Sequence, residues 1–327
     1  MIAHALQENG KDFDYVVGAQ LPGFDRMVKL SDAPIIVIEG DEYLSSAIDR
    51  RPKMLLYKAT TAIITGIAWD HINVFPTYEG YVDQFRQFLK DIPSEGKVFY
   101  HEGDSSLQKL IDEKNTDARC ISYNQVEVED GSKVTLGSKS YEMLVIGGHN
   151  YQNMKAAQRV CNDLGLSGKQ FFRAMSTFKG AEKRLEFIKN KKDRAVIIDY
   201  AHAPSKVEAT IKAVKDHWPK RTLVAALELH TFSSLNKDFI PHYRHAFDPA
   251  DIAIIYYSAH TLKMKNMPEI DPNWLVEQIA HPKVKVFTEK GDLVKYLGSI
   301  NYKNTNLLMM SSGTFDGFSL SKDGVKI

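Results

Sequence analysis

Cysteine is scarce in these 327 residues: only Cys120 and Cys161 occur. They lie far apart and in no metal-ligand spacing, so a disulfide scaffold and a cysteine zinc site are excluded, and both read as reduced thiols. No apolar run approaches the ~20 residues of a membrane-spanning helix. The polar opening MIAHALQENGKDFD is unlike a secretory signal, so a cytoplasmic chain with no membrane partner is expected. An excess of charge of either sign is also missing. The formal net charge is +1 and no long basic run occurs, which argues against nucleic acid as a partner. Absent too is the phosphate-cradling loop G-x-x-x-x-G-K-[ST]. Gly168-Lys169 comes nearest, but Asp163 stands where the first glycine is required and Gln170 follows the lysine.

What is present suffices for a core: hydrophobic residues make up 43% and charged residues 25%, and the length suits two domains. Short apolar runs alternate with amphipathic segments. PIIVIE (34–39), TAIITGIAW (61–69) and GKVFYHEGD read as strands. YEGYVDQFRQFLKDI reads as a helix, and residues 118–145 as a hairpin around Asp130-Gly131. Helices are expected from Asn150 to Cys161 and from Ser167 to Thr177. A polar, lysine-rich passage, KGAEKRLEFIKNKKDR, then marks a boundary, giving domains 1–187 and 188–327. Beyond it AVIIDY, RTLVAALE, DIAIIYY, KVKVFT and NLLMMSS alternate with helical segments, KDFIPHYRHAF among them. Such regularity predicts an α/β fold with a parallel sheet covered on both faces.

Open parallel sheets bind ligands beyond the carboxyl ends of their strands, and several strands here end in polar side chains. The first runs into Glu39, Asp41 and Glu42, hard oxygen ligands of the kind magnesium takes. The second ends in Asp70 and His71. GGHNYQNMKAAQ leads glycines into a helix, with His149, Asn150 and Asn153 offering directed hydrogen bonds suited to a nucleobase edge; Asn150 could equally be an N-cap. VIIDYAHAPSK ends a strand in Asp199, Tyr200 and His202 before Pro204 opens a helix.

Taken in order, VIEGDEYLSSAIDRRPKMLLY, WDHINVFPTYEGY, HNYQNMKAA, FKGAEKRLEF, IDYAHAPSKVEAT and LLMMSSGTFDG resemble the Mur ligase family over nearly the whole chain. DEY and RRPKMLLY are most similar to the branch that returns a murein tripeptide, L-Ala-γ-D-Glu-meso-diaminopimelate, to UDP-N-acetylmuramate. The resemblance implies a central ATPase domain, beginning just after the family's P-loop and so lacking the N-terminal domain, followed by a Rossmann-like C-terminal domain. It implies ATP and Mg²⁺ as cofactors, with UDP-N-acetylmuramate and a short peptide or amino acid as partners in peptidoglycan recycling. Glu39 and His71 would hold the metal, on neighbouring strands of one sheet, and His149, Asn150 and Asn153 would contact adenine. Arg184 matches the family's arginine at the domain junction. With His202 it would be catalytic, and Asp199 and Tyr200 would join both at the nucleotide. His230, Ser233 and Ser312 would lie near the incoming amine.

By the same resemblance ATP would activate the muramoyl carboxylate as an acyl phosphate, which the amine then attacks. Departures from the pattern are Gly66, Gly148, Lys183 and ELHTFSSLN (228–236), the last standing where relatives carry a Pro-Arg or Pro-His-Arg element. The alternatives are an L-alanine-adding ligase, a folylpolyglutamate synthase relative, or a non-catalytic domain pair that binds a partner or peptide. Without a P-loop the chain alone is expected not to ligate.

Overall fold

The alternation read from the sequence becomes, in a computed structural model, two compact units, Met1–Glu182 and Lys183–Ile327. The structure describes residues 1–19, 23–72, 74–325 and 327. No described helix is long and apolar enough to cross a membrane.

The first unit runs α1 (Ile2–Glu8), β1 (Asp14–Val16), β2 (Val28–Lys29), β3 (Ile36–Ile38), α2 (Lys53–Leu56), β4 (Thr61–Ile64), α3 (Tyr78–Asp91), β5 (Lys97–His101), α4 (Ser105–Asp112), β6 (Arg119–Tyr123), β7 (Lys133–Leu136), β8 (Lys139–Glu142), α5 (Gly148–Asp163) and α6 (Gly168–Met175). Strand β1 pairs antiparallel with β2 and parallel with β3, while β4, β5 and β6 form a separate parallel sheet. Helix α3 starts where the Thr77 hydroxyl accepts the Gly80 N–H, and it buries Tyr81, Val82, Phe85 and Leu89 at helical spacing. A Ser167–Gln170 capping box opens α6, whose Phe171, Phe172 and Met175 pack with Leu6 and Met154.

Four expectations shift. The run 61–69 is strand only to Ile64, because Gly66 and Ile67 turn under Asp104, which accepts the Ile67 N–H at 2.9 Å. The hairpin turns at Gly137-Ser138; Asp130-Gly131 makes an earlier turn with positive φ, and β6 pairs with β5 instead. Asn150 is no N-cap, since Gly147 holds that position. Strands β3 and β4, expected in one sheet, lie in two.

Gly96, which enters β5, is buried. A Cβ there would lie 2.7 Å from the Thr60 carbonyl oxygen and 2.8 Å from that of Pro93. Backbone cannot yield cheaply, so Gly96→Ala is expected to destabilise this unit by about 1–3 kcal/mol. An unchanged urea midpoint would show that the turn has room.

The second unit runs β9 (Glu186–Lys191), β10 (Arg194–Asp199), α7 (Pro204–His217), β11 (Thr222–Glu228), β12 (Ile252–Tyr256), α8 (Ala259–Met264), α9 (Pro272–Ile279), β13 (Val284–Phe287), α10 (Lys290–Ser299) and β14 (Thr305–Met310). The sheet order is β13-β12-β11-β14-β10-β9, parallel except for the antiparallel edge strand β9. Strand β9 comes from the lysine-rich passage that reads as a linker. KDFIPHYRHAF forms only a 3₁₀ turn at Ile240–Tyr243, with Pro241 denying a longer helix its N–H. The last strand, β14, is buried throughout and inserts between β10 and β11. The carboxyl ends of these three strands therefore sit side by side, the position at which open α/β sheets hold ligands.

Candidate functional site

In the first unit the exits of β3 and β4 carry the acids. The Glu39 Oε2 accepts the Gly18 N–H at 2.6 Å. The carboxylate that faces His71 is Glu42, with Oε1 3.8 Å from His71 Nε2, and Asp70 lies 4.0 Å from Nδ1 on the other side. Tyr81 Oη donates to Glu42 at 3.1 Å, and the Tyr43 ring meets the His71 ring edge-on at 5.0 Å. Burial raises the Tyr81 phenol, and Glu42 beside it adds to that, so the hydroxyl stays a donor. His71 itself sits at φ 56, in the left-handed region, where a non-glycine residue stores strain. Asp41 is tied to Lys53 at 2.6 Å. At the start of α5, one N–H of the Asn150 amide donates to Ile146 O at 2.8 Å, and the same Nδ2 lies 3.3 Å from His149 Nε2. Asn153 is exposed further along the helix.

In the second unit Asp199 ends β10 and is 6% exposed. Its two oxygens accept the Leu185 and Ala201 N–H groups, each at 2.7 Å. Burial pushes its carboxyl up despite these bonds. The Arg184 guanidinium lies 5.2 Å over the Tyr200 ring. The His202 ring stands edge-on to Tyr200, its Nδ1 is 2.9 Å from Tyr200 O, and its carbonyl accepts the Tyr243 hydroxyl. Arg184, Asp199, Tyr200 and His202 thus form one local group.

A second group joins the exits of β11 and β14. Glu228, 2% exposed, accepts from Ser311 Oγ and from the Phe315 N–H at 2.7 Å. Burial alone would raise its carboxyl, yet contacts with His230, Ser311 and the Phe315 amide hold it below the usual range. His230 Nδ1 lies 3.6 Å from Glu228, too long for a hydrogen bond. That nitrogen and the Ser312 Oγ are both buried without a hydrogen-bond partner among the described residues. Gly313 lies against Glu228 and His230: a Cβ there would come within 2.9 Å of Glu228 Oε2 and of the His230 ring. Ser233 is buried, and its neighbour Ser234 is bound within the turn to Thr231. Of the three residues expected near the amine, His230 packs on Gly313, Ser312 precedes it in the chain, and Ser233 belongs to an inward-packed turn. Glu228 was readable as a third acid ending an apolar strand, like Glu39 and Asp199. The partnership of Glu42 with His71 had no signal in spacing.

Residues 21–161 match the Mur ligase middle domain and residues 183–313 match the Mur ligase glutamate ligase domain. The chain belongs to the Mur ligase family. Among curated relatives, the UDP-N-acetylmuramate–L-alanine ligase of Roseiflexus castenholzii is 24% identical, aligned over 98% of this chain and 72% of its own length. The enzyme of the same name from Desulfitobacterium hafniense is 25% identical over 87% of this chain and 64% of its own length. This chain thus spans 64% to 72% of these two Mur ligases. The murein peptide ligase structure from Psychrobacter arcticus shares the fold at a TM-score of 0.68 and 21% identity, covering 100% of this chain and 74% of that one. MurF from Acinetobacter baumannii does so at 0.72 and 15%, covering 99% and 72%.

The magnesium ion implied by this family takes oxygen ligands and keeps several waters, so one or two carboxylates suffice beside phosphate oxygens. Glu42, with His71 Nε2 3.8 Å away, suits such a partly hydrated ion, whereas Asp70 faces the opposite nitrogen of the ring. Among the described residues no three His, Cys, Asp or Glu side chains could enclose an ion by themselves, so its other ligands would be water and phosphate.

Proposed function

We propose that this chain is the ATP-binding and acceptor-binding part of an ATP-dependent ligase that joins an amine to the carboxylate of UDP-N-acetylmuramate. The single observation that carries the reading is the set of polar strand exits, in family order, at the carboxyl ends of β3, β4, β10, β11 and β14. Magnesium, when bound, would neutralise phosphate charge. Glu42 and His71 would hold it, in place of the expected pair Glu39 and His71, because Glu39 is turned to the Gly18 N–H, and His149, Asn150 and Asn153 would take the adenine edge. Arg184 and His202, steadied by Tyr200 and Asp199, would contact the nucleotide. His230 and Ser312 would contact the amine substrate, with Ser233 behind them. Catalysis of this kind is positioning and charge neutralisation, with no protein nucleophile. A cytoplasmic setting follows from such substrates.

The acceptor is the finer question. DEYLSSAIDRRPK favours the murein tripeptide, whereas the L-alanine ligases among the relatives favour alanine. The loop 230–236 holds no arginine, so a peptide carboxylate would be met by backbone N–H groups and hydroxyls rather than by a bidentate guanidinium. With a P-loop segment joined ahead of Met1, kcat/KM for tripeptide and L-alanine decides. We expect tripeptide to be preferred by about tenfold or more, a difference of about 1.4 kcal/mol, and His230→Ala to remove the preference. A clear preference for L-alanine moves the protein to the alanine-adding branch. Turnover of neither overturns the ligase reading.

A further inference from the structure

The second unit has a half-open cleft of about 400 Å³. Its floor is sheet, from Val196 and Ile198 of β10 and Met309 of β14. Its roof is the irregular chain after β14, which contributes Phe318, Leu320 and Val325. That roof is tied at both ends. At one, Glu228 takes the Phe315 N–H, Asp316 accepts from Tyr256 Oη at 2.5 Å, and the Phe315 ring stacks on Tyr256. At the other, Asp323 accepts the Ser319 N–H at 2.7 Å and pairs with Lys290 of α10 at 3.2 Å. These ties are directed and polar, and they fix the roof segment where it packs along the sheet beside the cleft.

The charges at the edge decide what could enter. Lys183 and Lys189 both line the cleft. The Lys183 ammonium has no partner among the described residues, and that of Lys189 meets the Ile327 carbonyl oxygen at 3.3 Å. The carboxylate in the lining, Asp199, has both oxygens covered by backbone N–H groups. An apolar cleft of a few hundred Å³ with a few placed polar groups is the usual form of a small-molecule site. The geometry points to a binding site for a small amphipathic anion, its aliphatic or aromatic body between sheet and roof and its carboxylate at Lys183 and Lys189. This inference does not depend on the ligase reading.

Octanoate and octanol are the probes, titrated calorimetrically into the 327-residue protein. One-to-one saturation is expected, with octanoate tighter than octanol by about tenfold. Lys183→Gln combined with Lys189→Gln removes that difference and leaves octanol unchanged. Ile188→Trp, on the exposed edge of β9 beside the cleft, fills it and weakens both probes by about tenfold or more. If that variant loses its cooperative melt, Ser321→Trp on the exposed roof takes its place. Absence of saturable heat, equal affinity for acid and alcohol, or binding that survives the tryptophan each overturns the site.

Discussion

Replacing Glu228 with leucine is expected to cost the second unit about 3–5 kcal/mol, as removing one partner of a buried charged contact does. The carboxylate is 2% exposed and receives the Ser311 hydroxyl and the Phe315 N–H. Leucine fills the volume but leaves both donors buried and unpaired, at about 1–3 kcal/mol each. The loop it anchors has little else to spend: Phe315 at φ 49, Asp316 at φ 50 and Gly317 at φ 73 are three successive left-handed residues. Urea unfolding of the two proteins measures the loss. A difference below about 1 kcal/mol would mean that the loop is held by the Asp316–Tyr256 contact alone.

The same carboxylate gives a pH signature. Its folded value is depressed, so its contribution is fully present above the unfolded glutamate value of about 4.3 and is lost as pH falls through the folded one. Asp199 has the opposite sign: its folded value is raised, so its contribution is present below the unfolded aspartate value and lost as pH rises through the folded one. Comparing Glu228→Gln with the parent removes the first effect and keeps the second. The variant should be less stable at neutral pH and should lose part of the parent's fall in stability on acidification.

Those two acids also mark how far the sequence alone could lead. Asp199 and Glu228 each end an unbroken apolar run, and such runs became buried parallel strands because a sheet covered on both faces admits no alternation. Helix α7 was legible from Pro204 at its first turn, and α6 from the Ser167–Gln170 pair. What failed to show had a tertiary cause. Strand β9 looks like a linker because it lies at a sheet edge, exposed along most of its length, and carries lysines. The turn at Asp130-Gly131 competed with that at Gly137, and pairing with β5 claimed β6. Glu39 and Glu42 are equivalent by composition. Only the folded chain turns the first to Gly18 and the second to His71. Contacts between segments 29 residues apart leave no periodic trace, whereas burial of a strand leaves its run of valine, isoleucine and leucine.

The isolated chain is expected to release phosphate from ATP, in the presence of UDP-N-acetylmuramate and either L-alanine or the murein tripeptide, about a thousandfold or more below an ordinary ligase rate. Phosphoryl transfer asks for backbone N–H groups and a lysine around the β- and γ-phosphates, and its transition state gains most from charges fixed before the reaction. These 327 residues hold no G-x-x-x-x-G-K-[ST]. The cations near the strand exits are poor substitutes. Lys53 is bound to Asp41 at 2.6 Å, and Arg184 rests on the Tyr200 ring. Diverting Lys53 would leave Asp41, whose carboxyl burial alone would raise but which Lys53, the Tyr43 N–H and His71 together hold low, without its partner. Several kcal/mol of transition-state stabilisation are therefore missing, which is the thousandfold. A coupled phosphate-release assay measures it, with the chain alone beside the chain joined to a P-loop segment. Recovery only in the joined protein supports the assignment of β3, β4 and the start of α5 to the nucleotide. Turnover by the chain alone at about one per second or faster would mean that phosphate is held by groups other than a P-loop. The N–H groups at the start of α5, after Gly147, would then be the first place to look for it.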